Sequence, residues 1–306
     1  MGRKTEMENT VVFGNCENLV GCYCGPSYVE QSPLAVLMLT PGMLHHVGPM
    51  GLHVQLARRL ADLGMSSLRY DLSGIGESLA VGTAGSSLER ATQEAVQAMD
   101  WMQKAHGFEK FALFGLCSGA DDALTIAQHD SRVIGLSLMD GLAYRTRRFY
   151  LHWFLRKHLP KMASASKWIA LLQNVLGQNS NEVDTMPLGL DIREFPERSA
   201  AERLLHRLLD RDVQLQFIYT GGAIDNYSYP QQFEDMFPAF RQHPHIALQH
   251  YPSMDHVATL AADRQVLLAE LTNWLGNLRR RMAESDSGAQ SLPVAAQLWR
   301  EQSRLN

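Results

Sequence analysis

The stretch Gly115-Leu116-Cys117-Ser118-Gly119 ends one apolar run, KFALFG (110–115), and opens a small-residue, helix-compatible one, SGADDALTIAQHD. A strand that turns sharply into a helix can hold one side chain up at the bend as a nucleophile. The residues two before and two after it must then be tiny, because strand and helix cross closely. Counted from Cys117 these are Gly115 and Gly119. Counted from Ser118 they are Leu116 and Ala120, and a leucine there collides with the crossing backbone. Cys117 is therefore the expected nucleophile, and Ser118, one step on, is placed to offer its backbone N–H to an oxyanion. A helix start favours an anion, and a neighbouring imidazole stabilises a thiolate further. A free thiol has a pKa of about 8.5, which such surroundings commonly lower. The remaining cysteines, Cys16, Cys22 and Cys24, make no disulfide framework. Cys22 and Cys24 form a C-x-C with no second Cys/His pair at metal-like spacing, so no metal is expected.

The elements that must position Cys117 are legible in outline. After about residue 30, short apolar runs alternate with helical patterns, which predicts a mostly parallel α/β sheet flanked by helices. Residues 10–26 read as one or two leading strands. LAVLMLT (34–40) is a continuous apolar strand, and GLHVQLARRLADLG (51–64) has helical spacing and stops at Gly64. SSLRYD (66–71) is the next strand. A long amphipathic helix over 86–107 opens at a serine, followed by strands at 110–115 and 132–141. From 142 to about 200 the alternation breaks into two aromatic-rich helical stretches. It resumes with strand 213–222, a helix near 230–240, strand 245–252 and a helix through 257–278.

The chain has 306 residues, 45% hydrophobic and 20% charged, with a formal net charge of -4. This suits a soluble globular protein and gives no basic surplus for nucleic acid. No apolar run approaches the roughly 18–20 residues that span a bilayer, and MGRKTEMENT is polar, so a cytoplasmic location is expected. Neither a dinucleotide-binding glycine fingerprint nor a P-loop occurs, and no cofactor is expected.

Four pieces stand in a telling order: TPGM after a buried strand, R-Y-D-L-S-G-I-G-E-S (69–78), G-L-C-S-G-A (115–120) and MDH (254–256) after the last strand. Together they resemble the α/β-hydrolase superfamily over residues 10–278. Within it, GLCSGADDAL and the basic stretch after it look most like the hydrolases associated with exosortase A systems. The resemblance implies an α/β-hydrolase core over 1–141 and 201–278, a helical lid over 142–200, and a flexible or helical tail over 279–306.

It also implies roles. His256, in MDH before a helix, stands where the superfamily carries its base; of the 12 histidines, His250, His243 and His245 fit less well. The acid is expected after the penultimate strand, where TGGAIDNYSYP supplies Asp225. Asp140, after RVIGLSLM, is the alternative acid. Asp255 adjoins His256 in sequence, so its side chain should point elsewhere. Pro41-Gly42-Met43 occupies the oxyanion-loop place and makes the Met43 N–H the second donor beside Ser118. His45 and His46 read as solvated loop residues; Asp71, Gly74 and Gly76 read as a structural turn. A Cys-His-Asp triad would form a covalent thioester during cleavage of an ester, thioester or lactone. The alternatives are acyl transfer to an amine, thiol or alcohol, and a binding protein without turnover. Between Asp140 and Glu182 the chain carries seven basic residues and no acid. Arg147, Arg148 and Trp153 are the expected docking residues if the small acyl substrate arrives on coenzyme A or an acyl carrier protein.

Overall fold

Continuous apolar strands demand cover on both faces, and the computed structural model supplies it. It describes residues 7–26, 32–81, 85–157 and 196–290. The leading segment forms two strands, β1 (Met7–Phe13) and β2 (Leu19–Gly25), which pair antiparallel. β3 (Leu34–Leu39), β4 (Ser66–Tyr70), β5 (Lys110–Leu116), β6 (Val133–Met139), β7 (Gln214–Thr220) and β8 (Ile246–Tyr251) run parallel to one another, and β2 joins them antiparallel to β4. The sheet order is β1-β2-β4-β3-β5-β6-β7-β8.

Strand period two sorts the core into halves. Ala35, Leu37 and Leu39 of β3, with Phe111 and Leu113 of β5, pack on the face covered by helices α2 (Ser87–His106) and α3 (Ser118–His129). Leu34, Val36 and Met38, with Ala112 and Phe114, pack on the opposite face against α1 (Leu52–Asp62) and the C-terminal helix. Each fully buried Leu or Phe contributes about 1.5–3 kcal/mol. Further along lie α4 (Arg147–Lys157), α5 (Arg198–Leu209), the short α6 (Gln232–Met236) and α7 (Ala261–Gln290). α7 continues past the expected end at 278 into the segment read as a tail. The second helical stretch expected before 200, and the last part of the tail, lie outside the described residues.

Helix boundaries follow local chemistry. Ser86 accepts from the Glu89 backbone N–H while the Glu89 carboxylate accepts from the Ser86 backbone N–H, a reciprocal capping box, and Gly107 closes α2 at φ 79°. Among the described residues no helix is long and apolar enough to cross a membrane.

The strand order places a crevice at the sheet's carboxyl edge. β4 lies on one side of β3 and β5 on the other, so the order reverses at β3. At such a reversal the loops leaving the carboxyl ends of neighbouring strands diverge and open a gap between them. The loop after β3 and the turn after β5 border it.

Candidate active site

Cys117 sits at the bend between β5 and α3 with φ 54° and ψ -122°. A non-glycine residue held there costs on the order of 1–3 kcal/mol. The surroundings hold it: Cys117 N–H donates to Met139 O at 2.8 Å, and Ala120 N–H donates to Cys117 O at 2.9 Å. The two glycines that frame the cysteine in the sequence are required by the crossing. A Cβ on Gly115 would lie 2.1 Å from Gly119 O, and one on Gly119 would lie 2.9 Å from Leu39 O. The thiol is exposed at the carboxyl edge of the sheet.

His256 reaches it from the loop after β8. That loop lies against the end of β7 because Gly221 and Gly222 leave room. A Cβ on Gly222 would lie 2.2 Å from His256 N, and one on Gly221 would lie 2.2 Å from Pro252 O. The imidazole donates from Nδ1 to Asp140 Oδ2 at 2.8 Å, and Cys117 is the other side chain that acts on it electrostatically. The carboxylate on the imidazole is thus Asp140, the alternative acid, in place of the expected Asp225.

Asp140 follows β6 in a left-handed conformation, φ 50°, with its side chain fully buried. Thr220, the last residue of β7, grips it twice. Its backbone N–H donates to Oδ1 at 2.7 Å and its hydroxyl donates to Oδ2 at 2.6 Å. In the sequence Thr220-Gly221-Gly222 is only a turn signal; in space it is the support for both acid and histidine. The hydrogen bond to Asp140 first, and the neighbouring Cys117 second, push the His256 pKa up to about 10 against the lowering effect of burial.

Asp225 has another task. Its carboxylate accepts from Trp153 Nε1–H at 3.0 Å, and its backbone carbonyl accepts from Arg145 Nε at 2.9 Å, so the β7 loop holds the segment that follows β6. Arg148 is likewise engaged, 3.1 Å from Asp235 and with its guanidinium 5.1 Å from the Tyr229 ring centre. Arg147 is exposed. Asp255 accepts from the backbone N–H groups of Val257 and Thr259, which turns it away from the site as expected.

On the other side of Cys117, Pro41–Leu44 form a turn closed by Leu44 N–H to Pro41 O at 3.1 Å, with Gly42 at φ 55°. Ser118 is the first residue of α3, where a backbone N–H has no intrahelical acceptor. The Ser118 hydroxyl oxygen accepts from Gly42 N–H at 2.7 Å, which ties the two loops together.

Behind this turn His46 is buried, not solvated. Its backbone N–H and Nδ1 both meet the Asp71 carboxylate, at 2.6 and 2.9 Å, and Glu77 N–H adds a third bond at 3.1 Å. Burial pushes the Asp71 pKa up, but the hydrogen bonds from His46 and Glu77 outweigh it and hold the carboxyl below its usual range. His45, His46 and Asp71 are close enough for a metal ion. The carboxylate is already engaged in fixing the turn, which agrees with the structural role read from the sequence. A surface cavity of about 580 Å³ lined by Ile134, Gln214 and His245 opens at the opposite, amino edge of the sheet, away from this chemistry.

No family model and no curated relative matches the sequence. Solved structures do. A protein of unknown function from Agrobacterium tumefaciens, described as an α/β hydrolase, superposes with a TM-score of 0.52 at 15% identity, covering 91% of this chain and 97% of its own. The chain has the α/β-hydrolase fold. An esterase from Pyrococcus furiosus gives a TM-score of 0.53 at 14% identity over 90% of this chain and 91% of that one. A serine hydrolase from Xanthomonas campestris, described as having no lid, gives 0.50 at 15% over 90% and 97%. Those matches concern the fold, and what the site does must come from its own residues.

Proposed function

We propose that this chain is a hydrolase of acyl substrates (esters, thioesters or lactones) working through Cys117, His256 and Asp140. One observation carries the reading: a strained, exposed cysteine acts electrostatically on an imidazole whose Nδ1 is fixed by a buried carboxylate. Esterases among the fold's neighbours agree with it.

The chemistry follows from the geometry. Cys117 passes its proton to His256, and the resulting thiolate attacks the acyl carbon. The ion pair is favoured because Asp140 stabilises imidazolium, so attack depends less on concerted proton removal than a serine's would. The carbonyl oxygen becomes an oxyanion that the backbone N–H groups of Ser118 and Met43 receive. His256 returns its proton to the leaving group as the C–O or C–S bond breaks, and a thioester remains on Cys117. Water, deprotonated by His256, attacks that thioester; the acid leaves, and the thiol is restored. Asp140 holds one tautomer throughout.

Intact-mass spectrometry after incubation with p-nitrophenyl esters and acyl-thioesters tests the reading. A covalent acyl mass on the wild type, mapped to Cys117 and missing from Cys117→Ala, supports it; activity surviving in Cys117→Ala overturns it. Partition of that acyl group between water and added amines or thiols separates hydrolysis from acyl transfer.

A further inference from the structure

The sequence assigns Ser118 only a backbone role, but its side chain does something separate. Its hydroxyl oxygen accepts from Gly42 N–H at 2.7 Å, across a span of 76 residues, and joins the helix that starts at the nucleophile to the turn after β3. Gly42 needs such a restraint. It sits at φ 55° and an added Cβ would meet nothing within 4 Å, so packing does not hold it. The turn's own closing bond, Leu44 N–H to Pro41 O, fixes its shape but not its distance from Cys117. The next residue, Met43, is 73% exposed, which leaves the turn without side-chain cover there too.

We propose that the Ser118 side chain is a positioning residue that presets the oxyanion hole by clamping the Pro41–Gly42 peptide beside Cys117, one peptide unit before the Met43 N–H. The inference rests on Cys117 being the nucleophile. A hole is useful only if its two donors are already set at the distance that a developing oxyanion requires, because reorganising them during reaction forfeits the gain. One donor is the Ser118 N–H; the clamp makes the same residue fix the loop that bears the other. Loss of the Ser118 hydroxyl should therefore be felt when charge develops on oxygen, and not when sulfur merely attacks.

That distinction gives the test. Alkylation by iodoacetamide displaces iodide at a saturated carbon and generates no oxyanion, whereas turnover of p-nitrophenyl acetate does. In the full-length chain, Ser118→Ala should lower kcat by roughly 10- to 100-fold, less than outright loss of a donor. KM and the Cys117 alkylation rate should each stay within about twofold. Ser118→Thr, which keeps the hydroxyl, should recover most of kcat, and thermal melting of all three proteins reports whether the fold persists. An unchanged kcat in Ser118→Ala, or alkylation that falls in step with kcat, overturns the clamp. So does a Ser118→Thr as slow as the alanine variant while its melting matches the wild type. Failure of the triad reading looks different: the wild type itself then gains no acyl mass at Cys117.

Discussion

Replacing Asp140 by asparagine should disable the site through a specific fault that the structure lets one trace. The backbone N–H of Thr220 points at Oδ1 from 2.7 Å and cannot turn away. An asparagine must therefore present its carbonyl oxygen there, which leaves its NH2 group at the Oδ2 position, facing His256 Nδ1. The Thr220 hydroxyl at that position can rotate and become an acceptor, so it offers no resistance. His256 must then accept at Nδ1 and carry its proton on Nε2, the nitrogen needed to take the Cys117 proton. A fault of this kind in a serine triad costs about 10⁴-fold in kcat. A cysteine ionises more readily, so ~10³- to 10⁴-fold is expected here, or about 4–5.5 kcal/mol in the barrier.

The charge leaves a second signature. Without the carboxylate, the His256 pKa should fall from about 10, because the hydrogen bond to Asp140 is the largest cause of its elevation. The assay pairs kcat/KM for p-nitrophenyl acetate with the pH profile of Cys117 alkylation, which should move upward in Asp140→Asn. Asp225→Asn should stay within about threefold in kcat, because an amide oxygen can still accept from Trp153 Nε1–H. An Asp140→Asn within tenfold of wild type, beside a crippled Asp225→Asn, would refute the assignment.

Gly222→Ala puts a Cβ 2.2 Å from His256 N, so the β8 loop must shift. Activity should fall by about 10² or more, since displacement of a catalytic group by roughly 1 Å costs that much, while circular dichroism keeps its α/β shape. His53, fully buried under the β3 loop, has its pKa pushed down to about 4 by burial. A depressed folded pKa gives stability that is present above pH 6.5 and lost as pH falls through about 4, and that gap corresponds to ~3 kcal/mol. His53→Leu should lose markedly less stability than wild type between pH 7 and pH 4 in urea titrations, and an equal loss would contradict the buried-histidine account.

The sharp turn at Cys117 is legible in the sequence because its requirement is local. Five consecutive residues fix the crossing of β5 and α3, and only Cys117 has glycine on both sides at the right spacing. The succession of strands after β3 is legible for a similar reason, since apolar runs of strand length are punctuated by helices with their caps. The choice between Asp140 and Asp225 is not, because it depends on two strand ends 80 residues apart. β6 and β7 are neighbours, and either can present a carboxylate to a histidine arriving from β8. The double grip of Thr220 on Asp140 decides it, a contact with no periodic or compositional trace. His46 escapes a sequence reading on the same ground: a polar loop residue is usually solvated, and only the fold shows that Asp71 lies behind it.

The position of Asp140 also explains why Asp225 makes other contacts. With the imidazole satisfied from β6, the loop after β7 need not reach His256. Its carboxylate and carbonyl instead accept from Trp153 and Arg145, both borne by the chain that leaves Asp140 directly. That chain first passes Gly141, whose missing Cβ would lie 2.6 Å from Ala120 Cβ, and so it runs tightly over the start of α3. One continuous stretch, Asp140 to Trp153, therefore begins on the histidine and ends on the β7 loop. Thr220 grips its beginning and Asp225, in β7's own loop, grips its far end. Movement at the far end is resisted by hydrogen bonds anchored next to the acid, so the chain bordering the crevice and the group orienting the imidazole share one support.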